Sequence, residues 1–172
     1  MTPLPITDIR RCAADADFVA AMHDLYARLD AEIAGHAPVC TNRGACCKFD
    51  AFGHRLYVTS IELAYFLARS EGPLLAPPDR SFCPYQQGGK CHARSARPAA
   101  CRVFFCDAAA QEWQPGTSEE SLKKLAGIGD RFGLPYVYLE WTEALRMMGG
   151  ALVDRPPVAR VGLSIDIAAR SP

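Results

Sequence analysis

The sequence has no surplus of either charge sign: 19 Lys and Arg residues stand against 19 Asp and Glu, for a formal net charge of zero. A chain so balanced has no global attraction to nucleic acid or to an anionic membrane surface, and neither is expected as a partner. It also has no apolar run approaching the roughly eighteen residues of a membrane-spanning helix. The opening stretch, MTPLPITDIRRCAADADF, holds no apolar segment of signal-peptide length, so the expected compartment is the reducing cytosol. Catalytic signatures are missing too. There is no dinucleotide-binding glycine fingerprint, phosphate loop, HExxH motif or Ser/His/Asp order, so any chemistry would have to come from a bound metal or from a thiol. Finally, no C-x2-C pair occurs, which argues against a simple zinc finger or ribbon.

What the sequence does have is clustered cysteine. Seven of its eight cysteines fall in two short knots, CTNRGACC from Cys40 to Cys47 and CPYQQGGKCHARSARPAACRVFFC from Cys83 to Cys106. None lies between Lys48 and Phe82, and none follows Cys106. Core cysteines are usually scattered along helices and strands as small hydrophobes. A chain of 172 residues can bury about two thirds of its unfolded surface, so it does not need disulfides in order to fold. In a reducing compartment such clusters read as ligands or redox groups. The two knots are therefore expected to meet in space and hold metal.

Around them the pattern is helical, and one domain spanning 1–172 is expected, with a cysteine core at 40–106 and a helical part at 107–172. Residues 1–14 show no clear periodicity, and Cys12 reads as a plain thiol. Phe18, Met22, Leu25, Leu29 and Ile33 recur on one face of a helix over 15–34, with Asp15 or Asp17 as its cap and Gly35 and Pro38 as its stop. Arg55 to Val58 reads as a short strand. Thr59 and Glu62 have capping-box spacing at the start of a mostly apolar helix that Gly72-Pro73 ends. Gly88-Gly89 reads as a tight turn bringing Cys83 and Cys91 together. Arg97-Pro98 opens a helical turn whose free amides would stabilise a thiolate at Cys101, with Arg102 adding charge beside it. Trp113 to Gly116 reads as a loop, and Thr117 with Glu120 as a second capping box opening a helix to Phe132, closed by Gly133 and Pro135. Tyr136 to Leu139 fits strand or helix. Trp141 to Met148 reads as helix, and the alternation of Val161, Leu163, Ile165 and Ile167 as a strand or extended arm. The expected fold is α-rich α+β: four to five helices with short strands around an irregular cysteine-rich loop region.

Thiolates take zinc, Cu(I) or iron in iron–sulfur clusters, at about four donors per site. Within the knots the gaps between successive cysteines are five, zero, seven, nine and four residues. Such uneven loops suit a [4Fe–4S] cube better than one small ion. The sequence C-x5-CC, followed by CP, a further C and RP-x2-CR, resembles the bacterial CxxCxxCC cysteine-cluster family, also called YkgJ-like and described as a zinc- or iron-chelating domain. The resemblance spans Cys40 to Cys106 and includes VTSIELAYFLA, where that family also has a helix. Arg43 departs from it, standing where the family name implies a cysteine. The resemblance implies Cys46, Cys47, Cys83, Cys91 and Cys101 as metal ligands, with Cys40 and Cys106 completing the set. A related domain is associated with flagellin lysine methylation and an iron–sulfur centre, which favours iron.

Other side chains have plainer readings. His23, His36, His54 and His92 are expected on the surface or in satisfied core positions, and Asp50 in a turn. Arg94, Arg97 and Arg102 are expected to neutralise the thiolates, the alternative being reception of an anionic substrate. Tyr136, Tyr138 and Trp141 read as core. Three functions follow: an iron or iron–sulfur protein in redox or protein-modification chemistry; a structural zinc domain that presents a surface to another protein; and a thiol-based redox sensor or enzyme with Cys101 as its reactive group. The partner expected is another protein.

Overall fold

A computed structural model describes residues 3–40, 44–71 and 73–151. Gly72, Arg43 and the alternating Val161 to Ile167 stretch lie outside the described residues. The fold is α-rich α+β, with helices α1 (Ile6–Ala14), α2 (Ala16–Gly35), α3 (Ser60–Arg69), α4 (Ala99–Val103), α5 (Gln114–Phe132) and α6 (Trp141–Ala151). Four short strands, β1 (Tyr57–Thr59), β2 (Gln86–Gln87), β3 (Lys90–Cys91) and β4 (Tyr138–Glu140), form two antiparallel ribbons, β1 with β4 and β2 with β3.

Helix α3 is the axis of the core. Every residue from Ser60 to Leu67 is buried, because the helix is wrapped on several sides by α1, α2, α5 and the β1–β4 ribbon. The capping box at its start forms: the Glu62 amide donates to Thr59 Oγ1 (3.2 Å) and the Thr59 amide to Glu62 Oε2 (2.7 Å). Helix α2 starts where Asp15 accepts from the amides of Asp17 and Phe18, and its stripe Phe18, Met22, Leu25, Leu29 and Ile33 is buried with Tyr26. Gly129 lets α5 come close to α3, since a Cβ there would sit 3.1 Å from Ile61 Cδ1 and 3.0 Å from the Leu134 carbonyl oxygen.

The structure departs from the sequence reading at α1 and at the start of α5, and decides one open alternative. The helix count is six among the described residues because Ile6–Ala14 is helical. A nine-residue helix has too few bonds to repay its own nucleation. Here Ile9, Cys12 and Ala13 are buried against the core, so tertiary packing supplies what local pattern could not. Trp113 to Gly116 is not a loop: α5 begins at Gln114 with Pro115 in its first turn. Thr117 therefore lies inside the helix, where its hydroxyl donates to Glu32 Oε1 (3.1 Å) and ties α5 to α2. Tyr138–Glu140 is a strand, paired Tyr57↔Glu140, Val58↔Leu139 and Thr59↔Tyr138.

Glu62 links this core to the cysteine region. It is buried, and its Oε1 accepts from the Ala99 amide at the start of α4 (2.7 Å) and from the Tyr26 hydroxyl (3.4 Å). Burial pushes its carboxyl above the ordinary value, against the pull of those hydrogen bonds. The folded chain thus holds this proton more tightly than the unfolded chain. The resulting stability is fully present below the unfolded pKa of 4.5 and is lost as pH rises through the folded one. Relative to Glu62→Gln, which does not titrate, the wild type should lose stability across that window, as read from denaturation midpoints at stepped pH. Glu62→Ala should cost about 2–5 kcal/mol at any pH, because it strands two buried amides.

Candidate metal centre

The first knot opens at Gly44, whose φ of +64° is left-handed and admits glycine at no steric cost. The single helical turn Ala45–Cys47 follows. The same glycine lets the knot close against the β2–β3 hairpin: a Cβ on it would meet Gln86 Nε2 at 2.7 Å and the Gly89 carbonyl oxygen at 3.0 Å. That hairpin is the turn expected at Gly88-Gly89, both with positive φ, and it pairs Gln86 with Cys91. Two backbone bonds then stitch the knots together, from the Cys83 amide to the Cys47 carbonyl (2.9 Å) and from the Asp50 amide to the Ser81 carbonyl (3.2 Å). Asp50 is held in that turn by Arg55 (2.6 Å) and Ser81 (2.8 Å).

These contacts bring the two knots to one cavity of about 110 Å³, with Cys40, Cys46, Cys47, Cys83, Cys91, Cys101 and Cys106 all in its wall. Phe49, Phe66, Tyr85 and Trp141 form its apolar base, and Arg94 and Arg97 border it. The Cys47 thiol lies close to those of both Cys46 and Cys83. Lying between them, it keeps its proton, while that contact draws Cys46 down to about 6 and Cys83 to about 7. The buried indole of Trp141 donates to Cys83 Sγ at 3.4 Å and pulls in the same direction. Burial pushes Cys91 up. The Arg97 guanidinium favours the thiolates of Cys46, Cys91 and Cys101.

Cys101 and Arg102 correct the sequence reading. Cys101 is the third residue of the five-residue α4, and its amide is already spent on the Pro98 carbonyl (3.0 Å). Burial, not a helix terminus, governs its thiol and pushes it well above the ordinary value. Arg102 turns away from the sulfurs. It is 6 % exposed, pairs with Asp30 at 2.6 Å, lies 4.1 Å over the Tyr26 ring and donates to the Arg97 and Ser95 carbonyls. His54 supports the site from outside, with Nε2 3.0 Å from the Cys46 carbonyl oxygen and its ring stacked on Phe104. His92 is exposed, and His36 stacks on Trp113. Cys12 is buried beside the Phe132 carbonyl, away from the cavity. Trp141 is core, as expected, and is also a wall of the site. No sequence signal could show this, because its partner Cys83 lies 58 positions away. Tyr136 and Tyr138, also expected in the core, are instead exposed, Tyr138 stacking on Tyr57 across the β1–β4 ribbon.

Among the described residues, no three Cys, His, Asp or Glu side chains already stand in the arrangement of a formed metal site. The donor chemistry nonetheless fits a thiophilic metal or cluster: seven sulfurs in one wall, with Cys47 close to both Cys46 and Cys83, over an apolar base. The chain matches no family model, no curated protein and no solved structure.

Gly44→Ala should cost about 1–2 kcal/mol from the left-handed backbone alone. It should also push the first knot off the hairpin, seen as faster alkylation of Cys47 in chelator-treated protein. Trp141→Phe keeps an aromatic ring but removes the donor. Site-resolved alkylation by mass spectrometry should then show Cys83 reacting more slowly at neutral pH, as its thiol rises toward the ordinary value.

Proposed function

We propose that this chain is a metal-binding protein that holds iron, as a [4Fe–4S] iron–sulfur cluster or as iron alone, through the cysteines of its two knots. The observation that carries the reading is the meeting of all seven knot cysteines in the wall of one cavity. Seven donors exceed the four of a closed zinc site, and the uneven loops favour a larger guest. Cys46, Cys47, Cys83, Cys91 and Cys101 would hold it, with Cys40 and Cys106 at the exposed margin. A bound cluster would supply one-electron chemistry, in redox or protein-modification reactions with another protein as partner.

The chain's own residues set the conditions. Trp141 donates a hydrogen bond to the Cys83 sulfur, the kind of contact that tunes a metal thiolate. The apolar base of Phe49, Phe66 and Tyr85 limits water, and Arg97 offsets thiolate charge. The cytosol, as compartment, belongs to the same reading. No helix among the described residues is long and apolar enough to cross a membrane.

Elemental analysis with a visible spectrum, on protein purified without oxygen, tests the reading. Several irons per chain, matching sulfide and a brown colour are expected, with iron falling sharply in Cys83→Ser and Cys47→Ser and unchanged in Cys12→Ala. Stoichiometric zinc and no colour would replace it with the structural zinc domain. No metal, together with rapid alkylation at Cys46, would replace it with the thiol sensor.

A further inference from the structure

Beyond the cysteine cavity, on the side of Arg94 and Arg97, lies a second cleft of about 670 Å³ bordered by the same two arginines. Arg102, Asp30, His23, Tyr26 and Tyr65 complete its charged and aromatic lining. Three guanidiniums against one carboxylate leave it two positive charges in excess, in a chain whose net charge is zero. The three are not equivalent. Arg102 is fully engaged: Asp30, the Ser95 and Arg97 carbonyls and the Tyr26 ring fix it as one wall. Arg97 is only partly engaged, with one long bond of 3.5 Å to the Cys101 carbonyl and a buried Nε that has no hydrogen-bond partner among the described residues. A buried guanidinium nitrogen without an acceptor is costly and calls for one. Arg94 is exposed and makes no hydrogen bond or ion pair among the described residues.

We infer that this cleft binds the carboxylate or phosphate group of a small-molecule ligand, with Arg94 and Arg97 as its guanidinium forks. Two such forks suit an oxyanion that accepts paired N–H donors. The tyrosine rings, edge-to-face at 5.2 Å and both buried, hold that side of the cleft rigid from behind, with Arg102 lying over Tyr26. Arg102 is locked by hydrogen bonds and an ion pair, whereas Arg94 and Arg97 act on the thiolates through space and keep N–H donors for an anion. Anion binding itself needs no metal. Its value as a substrate site beside the cysteine cavity, across the shared arginines, rests on the metal reading above.

The test is titration of full-length protein with inorganic phosphate and, separately, with succinate at low salt. It is followed by calorimetry and by the NMR shift of the Arg97 Nε–H, with iron and zinc assayed on the same samples. Saturation with a Kd below about 10 mM is expected for at least one anion, with a shift at Arg97. The preferred anion identifies the ligand's group. Arg94→Ala, an exposed change, should weaken binding about tenfold, and Arg97→Lys, which keeps the charge but loses the fork, should do likewise. Saturation by neither anion, or affinities unaltered in both variants, would overturn the inference. Anion binding by metal-free protein would uphold this site while removing the metal reading. Metal-loaded protein blind to both anions would do the reverse.

Discussion

A single buried carboxylate, that of Glu62, joins the helical frame to the cysteine loops. Taking such a group out of water costs several kcal/mol unless its oxygens are satisfied. Here one oxygen accepts the amide and hydroxyl of Thr59, and the other accepts the Ala99 amide and the Tyr26 hydroxyl. One group thereby fixes the start of the central helix α3, the start of α4 and the adjacent face of α2. Arg102 repeats the anchoring from α4, through Asp30 and the Tyr26 ring. Cys101 lies between these two anchors, so its position depends on a polar network of the core and not on its sulfur.

The same is true of the other sulfurs. Backbone bonds from Cys83 to Cys47 and from Asp50 to Ser81, the left-handed Gly44 and the hairpin at Gly88-Gly89 bring the knots together, and the Cys47–Cys83 thiol contact sits within that backbone frame. The loops are therefore gathered before a ligand set closes. The seven cysteines share a wall, although no three donors already stand as a formed site among the described residues.

How far the sequence revealed this depends on the range of each interaction. Local signals read true: the Asp15 cap, the Thr59/Glu62 capping box, the glycine hairpin and the apolar stripe of α2 each depend on residues a few positions apart. The convergence of the two knots was also legible, because seven thiols crowded into two short loops do not follow the scattered placement of core cysteines. What could not be read is non-local. Helix α1 exists through burial against distant helices. Thr117 has the local pattern of a cap but is used to reach Glu32, and α5 starts a turn earlier. Arg102 stands beside Cys101 in sequence, yet faces the opposite way because Asp30 and Tyr26 outcompete the thiol for it. Trp141 is placed against Cys83 by the β1–β4 ribbon, with the Trp141 amide bonded to the Leu56 carbonyl (2.8 Å).

Arg94 and Arg97 are where the two halves of the functional reading meet. They border a cavity of thiols on one side and a cleft of net positive charge on the other. A guanidinium charge stabilises a thiolate through a poorly screened, apolar-walled space. An anion seated in the cleft would draw on the same charge. The two occupancies are then thermodynamically linked, and the linkage is reciprocal: whatever free energy an anion withdraws from the thiolates, the thiolate charge withdraws from the anion. The sign is antagonistic as long as the sulfurs carry net negative charge. It weakens as bound cations neutralise them, since a metal's own charge reverses the local electrostatic logic. A metal-loaded cavity would thus favour a filled cleft, and a bare thiolate cavity would oppose it.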